Sequence, residues 1–240
     1  MTERGLLRGS GTSAPPEEHW IPLSDLMTGL MMMFMLIAIL FMARVEAESA
    51  KVKNIAVVYD EMREQLYQDL KTEFSADLPR WRAELDKDLS IRFEEPDVLF
   101  GTGDATLRPQ FAAILGDFFP RYVKIISNQR YRDSIEEVRI EGHTSSVWNN
   151  QTTPDEAYFL NMELSQSRTR SVLEYVLLLP QLINSRAWLT QRLTANGLSS
   201  SRPRLNPDGT ENAAASQRVE FRVRTNAETR LSDILKAAQP

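Results

Sequence analysis

Residues 138–143 read VRIEGH, and residues 161–176 read NMELSQSRTRSVLEYV. The first stretch alternates apolar and polar side chains, which is typical of a β-strand with one buried face. The second belongs to a predicted helix that runs from Asn161 to Leu179 and ends before Pro180, because proline cannot continue a helix. A strand followed by a long helix indicates a sheet covered by helices.

More strands and helices are predicted on both sides of this pair. Apolar side chains recur at helical spacing after Pro109, a residue that suits the first turn of a helix. Short apolar or alternating runs predict the remaining strands. We therefore predict an α+β domain over residues 81–240, with strands at 90–93, 98–100, 193–197 and 218–224 and further helices at 109–127 and 225–238.

An uncharged apolar run precedes this domain. Leu26 to Ala43 contains 18 residues without a charge. Counted from Trp20, the run is long enough for a helix to cross about 30 Å of hydrocarbon. We predict a transmembrane helix over residues 20–43, with Trp20 as an aromatic anchor at its edge. Residues 1–19 are polar, with Gly, Ser, Thr and Pro, and are predicted to form a flexible tail.

Residues 44–80 carry an amphipathic helical pattern. Apolar side chains recur every three or four residues from Val52 to Leu78, with charged residues between them. Two interpretations remain open. The helix is a self-paired stalk that leaves the membrane, which the pattern near Ile55 favours, or it packs on its own domain, which is equally compatible with the pattern near Phe74.

Composition excludes several functional classes. The 240-residue chain has a net charge of −5 and no basic stripe, so we predict no nucleic-acid partner. It has no cysteine and two histidines, so we expect no metal site and no cofactor. No nucleophile–base or acid–base pair has convincing spacing, and we therefore predict that the chain is not an enzyme and has no catalytic residues.

Several motifs, in order, resemble the OmpA-like peptidoglycan-binding domain. These are LFGTGDATLRPQ at 99–110, EGHTSS at 141–146, the NMELSQSRTR segment at 161–170, SRP at 201–203 and QRVE at 217–220. The resemblance implies a β/α sandwich and a site for the diaminopimelate residue of peptidoglycan. Carried over by position, the site residues are Thr144, Ser145, Asn161, Leu164 and Arg168.

One of these positions departs from the family pattern. The family has an aspartate where this chain has Ser145, and a serine cannot neutralise an amine. Asp155 or Glu156 is a candidate source of the missing charge. For Arg168 the alternative to ligand binding is a structural salt bridge to Glu141 or Asp155.

The stretch WIPLSDLMTGLMMMF at 20–34 resembles the membrane segment of MotB-type stator subunits. The residue order of this segment and the short length of the chain resemble most the ZorB-type subunits of the Zorya anti-phage defence system. The resemblance implies a dimer of this chain inside a ring of five ZorA-type subunits, driven by an ion gradient. It also implies an inner-membrane protein with a cytoplasmic N-terminus and a periplasmic domain bound to peptidoglycan. The basic residues flanking the span do not support this orientation, since only Arg4 and Arg8 precede it.

Asp25 is the one carboxylate at the start of the apolar run. It either caps the helix through the helix dipole or carries ions. Thr28 and Gly29 lie on the same helix face, where a partner helix can approach closely and shield the carboxylate. With the resemblance, we predict that Asp25 and Thr28 carry a proton, with Na⁺ as the alternative ion. A flagellar MotB-type stator and a passive membrane-to-wall tether are the alternative functions.

Overall fold

A computed structural model describes residues 20–94 and 96–226, and the chain divides into two units at Lys51. Helix α1 (Trp20–Phe74) contributes residues to both units. In the first unit, apolar side chains are exposed on all sides of the helix, as the consecutive residues from Met31 to Ile37 illustrate. The segment Leu23–Ala50 is, by length and composition, long and apolar enough to cross a membrane. The predicted tail at 1–19 lies outside the described residues.

The last turns of α1 belong to the hydrophobic core of the second unit. Leu66, Leu70 and Phe74 are fully buried. The Phe74 and Phe118 rings lie 5.2 Å apart between centroids, and Arg121 donates hydrogen bonds to the Glu73 carboxylate and the Glu73 carbonyl. Of the two interpretations of the amphipathic helix, packing on its own domain therefore describes these turns.

A five-stranded sheet forms the centre of the second unit. Its strands are β1 (Ala83–Leu85), β2 (Ser90–Phe93), β3 (Ile135–His143), β4 (Leu193–Gly197) and β5 (Arg218–Thr225). The strand order is β1-β2-β5-β3-β4, with β3 and β4 parallel and the other neighbours antiparallel. In β3 and β5 the alternate residues Val138 and Ile140, and Val219, Phe221 and Val223, are buried in the core. This is the mixed α+β architecture that the sequence predicts.

Helices pack on the apolar face of the sheet. The longer ones after α1 are α4 (Pro109–Ile126) and α5 (Pro154–Leu177), and the shorter ones are α2 (Leu78–Trp81), α3 (Pro96–Leu99), α6 (Arg186–Arg192) and α7 (Ala213–Ser216), with a 3₁₀ turn at Pro180–Leu182. In α4 the side chains of Phe111, Leu115, Phe118 and Phe119 are all buried. The predicted helix after Pro109 and the predicted strands at 90–93, 193–197 and 218–224 are confirmed.

Three predicted elements differ from the structure. Residues 98–99 end helix α3 instead of forming a strand, because a short apolar run fits either state and Pro96 starts a helical turn. Helix α5 begins at Pro154, earlier than Asn161, and Thr153 and Glu156 form a capping box at its start. Thr225 ends β5, and the remainder of the predicted last helix falls outside the described residues, apart from Asn226.

Candidate functional site

Two glycines allow helix α5 to lie directly on the ends of two strands. Gly142 of β3 is the register partner of Gly197 of β4. A Cβ atom at Gly142 would stand 2.6 Å from Thr169 Cγ2, and one at Gly197 would stand 2.3 Å from the backbone nitrogen of Gln166. Only glycine permits so close an approach. This close packing of α5 on the two strands places the residues after β3 beside the middle of α5.

Ser199 connects the loop after β3 with α5. Its carbonyl accepts a hydrogen bond from the Thr144 N–H at 3.0 Å. Its own N–H donates to Ser165 Oγ, and its hydroxyl donates to the Tyr158 carbonyl of α5. Ser199 is fully buried with a φ of 51°. The sequence offered no signal for this role, because it depends on contacts between distant segments.

Arg168 is buried on α5, with a 6% exposed fraction. Its Nε donates to the Asp104 carbonyl at 2.9 Å, and its Nη2 donates to the Gly101 carbonyl at 3.0 Å. The guanidinium also lies over the Phe100 ring, 4.9 Å from the centroid. Among the described residues no carboxylate is within salt-bridge distance of it. The structural alternative, an ion pair with Glu141 or Asp155, is therefore absent.

Several buried polar atoms near this helix have no hydrogen-bond partner among the described residues. They include Thr144 Oγ1 and Asn161 Nδ2, in side chains that are each 3% exposed. His143 lines a narrow pocket with Arg168 and Arg218, although its ring nitrogens, also without a hydrogen-bond partner, lie near Glu141 and Glu220. Unpaired buried donors and acceptors are costly, so this arrangement suits a polar ligand. Leu164, the remaining predicted residue of α5, is half-buried.

The loop after Thr144 carries no carboxylate of its own, and neither acid suggested for it makes a described hydrogen bond to Thr144 or Ser145. Glu156 accepts hydrogen bonds from the Thr153 N–H and hydroxyl, so the helix cap occupies its carboxylate. Asp155 lies in the first turn of α5, where its charge suits the helix dipole. Ser145 itself is buried, and its hydroxyl donates to the Val147 carbonyl.

The sheet face opposite the core carries a buried ion-pair cluster that the sequence reasoning missed. Glu220 accepts hydrogen bonds from Arg218 at 2.6 Å, from Arg92 at 3.3 Å and from Arg222 at 3.2 Å. Burial raises the pKa of Glu220, but the Arg218 hydrogen bond and charge outweigh it and lower the pKa to about 2. The alternation in RVEFRVR at 218–224 could have predicted this cluster, because every second residue of a strand points to the same face of the sheet.

His143 lies at the edge of the same cluster. Its pKa is lowered to about 3, chiefly by burial and then by the charge of Arg218. Ligand atoms of Glu141, His143 and Glu220 lie within 4.8 Å of one another, a spacing that suits a metal ion. However, three arginines already donate to Glu220, and Arg202 and Arg222 lie 3.5 and 3.6 Å from Glu141. The cluster therefore acts as a network of ion pairs.

The predicted ion-carrying residues lie near the start of α1. Asp25 and Thr28 are both exposed on the described helix. Thr28 Oγ1 donates a 2.7 Å hydrogen bond to the Ser24 carbonyl one turn earlier. The hydroxyl proton is thereby used within the helix, and the oxygen keeps its lone pairs available.

Comparisons with known proteins found one similar sequence and several similar structures. No family model matches the chain. It is 49% identical over 220 residues to the Zorya protein ZorB of Escherichia coli, covering 91% of this chain and 93% of that protein. A crystal structure of a MotB-like protein from Desulfovibrio vulgaris is similar at 25% identity with a TM-score of 0.50, covering 69% of this chain and 96% of that chain. The OmpA-like domain of FopA1 from Francisella tularensis matches at 18% identity with a TM-score of 0.38, covering 60% of this chain and 80% of that chain.

The sequence identity extends over almost the whole of both proteins, including the apolar helix and the sheet domain. The chain belongs to the ZorB family of Zorya proteins.

Proposed function

We propose that this chain is the wall-anchored membrane subunit of a stator-like, ion-driven complex that serves anti-phage defence, and that it is not an enzyme. The observation that carries the anchoring role is Arg168, a buried cation whose described contacts are backbone carbonyls and an aromatic ring. A buried guanidinium without a direct salt bridge is costly, so a ligand carboxylate in contact with it would stabilise the site. Diaminopimelate of peptidoglycan carries such a group.

The proposed topology follows from the anchoring role. The apolar helix spans the inner membrane once, with the N-terminus in the cytoplasm. The sheet domain lies in the periplasm, where peptidoglycan is accessible. The proposed assembly has two copies of this chain inside five ZorA-type subunits, which cover the exposed apolar helix surface. The domain organisation proposed from the sequence, with the span at 20–43 and the wall-binding domain from residue 81, belongs to the same proposal.

The proposed motor function depends on Asp25. An acidic side chain on an otherwise apolar helix costs on the order of 3 kcal/mol on insertion scales, which makes it a candidate functional group. When partner helices cover it, it can bind and release a cation, with a proton as the first choice and Na⁺ as the alternative. Each charge that crosses the membrane releases about 2.3 kcal/mol per 100 mV.

Binding of purified sacculi by the full chain in detergent tests the anchoring role. We expect Arg168→Ala to lose most of this binding. Arg170→Ala is the matched control, because Arg170 lies on the same helix but is exposed, and its ion pair among the described residues is with Glu174. Normal retention of the Arg168 variant on sacculi would falsify the anchoring role of this side chain.

Phage protection in cells that carry the complete system tests the motor function. We expect Asp25→Asn to abolish protection while the complex still assembles. A passive tether predicts a different result for Asp25, which would be dispensable, while Arg168 is still required. Unchanged protection by an assembled Asp25→Asn complex therefore favours the tether.

A further inference from the structure

The candidate wall-binding site has a cationic side but lacks the family's acidic residue. Arg168 supplies the positive charge, whereas Thr144 and Ser145 are uncharged. An amino-acid ligand carries an ammonium and a carboxylate on one carbon atom, so the protein groups that bind them must be adjacent. The missing acid must therefore lie beside Arg168.

Asp104 lies beside Arg168 in the loop between α3 and α4. Its main-chain carbonyl accepts the hydrogen bond from Arg168 Nε, and its N–H donates to the same Gly101 carbonyl that Arg168 Nη2 contacts. The two residues therefore share one hydrogen-bonded turn. The segment 99–110 carries the family pattern, but that pattern predicts no role for Asp104.

The Asp104 side chain is held in place and stays charged. Its Oδ1 accepts hydrogen bonds from the N–H and the hydroxyl of Thr106, both at 2.9 Å. These bonds, together with the nearby charge of Arg168, hold the pKa of the Asp104 carboxyl below its usual range. The side chain is exposed, and both Thr106 hydrogen bonds go to Oδ1, not to Oδ2.

Gly101 leaves space next to this carboxylate. A Cβ atom at Gly101 would lie 3.6 Å from Asp104 Oδ2 and 3.3 Å from Asp104 Cβ. The absence of a side chain there keeps Oδ2 open beside the residues that hold the Arg168 guanidinium. Glu211, the acid that contacts the loop after Thr144, is already engaged by the N–H and hydroxyl of Ser146.

We propose that Asp104 is the acidic residue of the wall-binding site and receives the ammonium group of a zwitterionic ligand whose carboxylate binds Arg168. The inference depends on the proposed anchoring function. It assigns the role of the missing family aspartate to a different loop. The site can then bind a free amine although Ser145, which cannot neutralise an amine, stands at the position of the family aspartate.

Retention of the full chain on sacculi tests the role of Asp104. We expect Asp104→Asn to lower the affinity about tenfold, because a charge-assisted hydrogen bond is lost. Asp208→Asn is the matched control, since Asp208 makes the same two hydrogen bonds to Thr210 in another exposed turn. Asparagine retains the acceptor oxygen in both turns, so folding is preserved.

Two further measurements isolate the ammonium contact. Acetylating the free amines of the sacculi should weaken binding by the wild-type chain but leave the Asp104→Asn chain unaffected. Adding Ser145→Asp to the Asp104→Asn variant should restore binding, because it returns a carboxylate to the family position. Equal binding by the wild-type and Asp104→Asn chains, or loss only in Glu211→Gln, overturns the proposal. If the wild-type chain does not bind sacculi, the anchoring function itself fails.

Discussion

Gly142 and Gly197 face each other across the parallel strands β3 and β4, and helix α5 lies against both. We expect Gly197→Ala to destabilise the domain by about 3 kcal/mol or more, because its Cβ would meet the Gln166 backbone at 2.3 Å. Urea unfolding of the full chain in detergent measures this. Gly116→Ala is the control: its Cβ meets only the Tyr175 hydroxyl at 3.4 Å, and alanine favours the helix interior. Equal stability of the two variants would contradict the close packing.

Glu220 holds three arginine side chains on the outer face of the sheet. We expect Glu220→Gln to cost about 3–5 kcal/mol, because it removes the charge that compensates the buried Arg218, whose other described hydrogen bonds go to backbone carbonyls. The free energy of unfolding at neutral pH measures this cost. Glu174→Gln provides the comparison, since the exposed Arg170–Glu174 pair contributes only about 0.5 kcal/mol. A small effect in both variants would mean that the cluster is not needed for stability.

His143 makes the stability depend on pH. Its folded pKa of about 3 is below the ordinary value of 6.5, so the unfolded chain binds a proton more readily between these values. The stabilisation is therefore complete above pH 6.5 and is lost progressively as the pH falls toward 3. We expect the free energy of unfolding to decrease between pH 7 and pH 5, a range above that of Glu220, whose pKa is about 2.

The variant His143→Gln isolates this effect. Glutamine does not titrate, so we expect the free energy of unfolding of this variant to change less between pH 7 and pH 5 than that of the wild-type chain. This expectation does not depend on the absolute stability of the variant. Parallel profiles for the two chains would assign the acid sensitivity to other groups.

The sequence predicted the strands and helices that have a clear period or boundary residue. The alternation at 138–143 and the apolar spacing after Pro109 correspond to β3 and α4. The start of α5 also has a sequence signal, because Thr153 and Glu156 have the spacing of a capping box. The prediction that starts this helix at Asn161 did not use that signal. The three-residue strand β1 is too short to show a period.

The candidate site was predictable only where residues follow one another on an element. Asn161 and Arg168 both fall within the predicted helix from Asn161 to Leu179, and both are buried on α5. Ser199 and Asp104 come from loops far away in the chain, and their roles depend on tertiary hydrogen bonds to Thr144 and Arg168. No local pattern in the sequence specifies such contacts.

Thr28 provides a test of the ion-carrying proposal that keeps Asp25 intact. Its hydroxyl proton is donated to the Ser24 carbonyl, so toward an ion or a protonated Asp25 the oxygen can act only as an acceptor. Valine has nearly the same shape but lacks this oxygen. A lost hydrogen bond to a charged group costs about 1.5–3 kcal/mol, which corresponds to a fall in ion occupancy of roughly tenfold to a hundredfold. We therefore expect Thr28→Val to reduce phage protection and Thr28→Ser to preserve it. Both variants should insert in the membrane normally, and full protection by an assembled Thr28→Val complex would show that Asp25 acts without this hydroxyl.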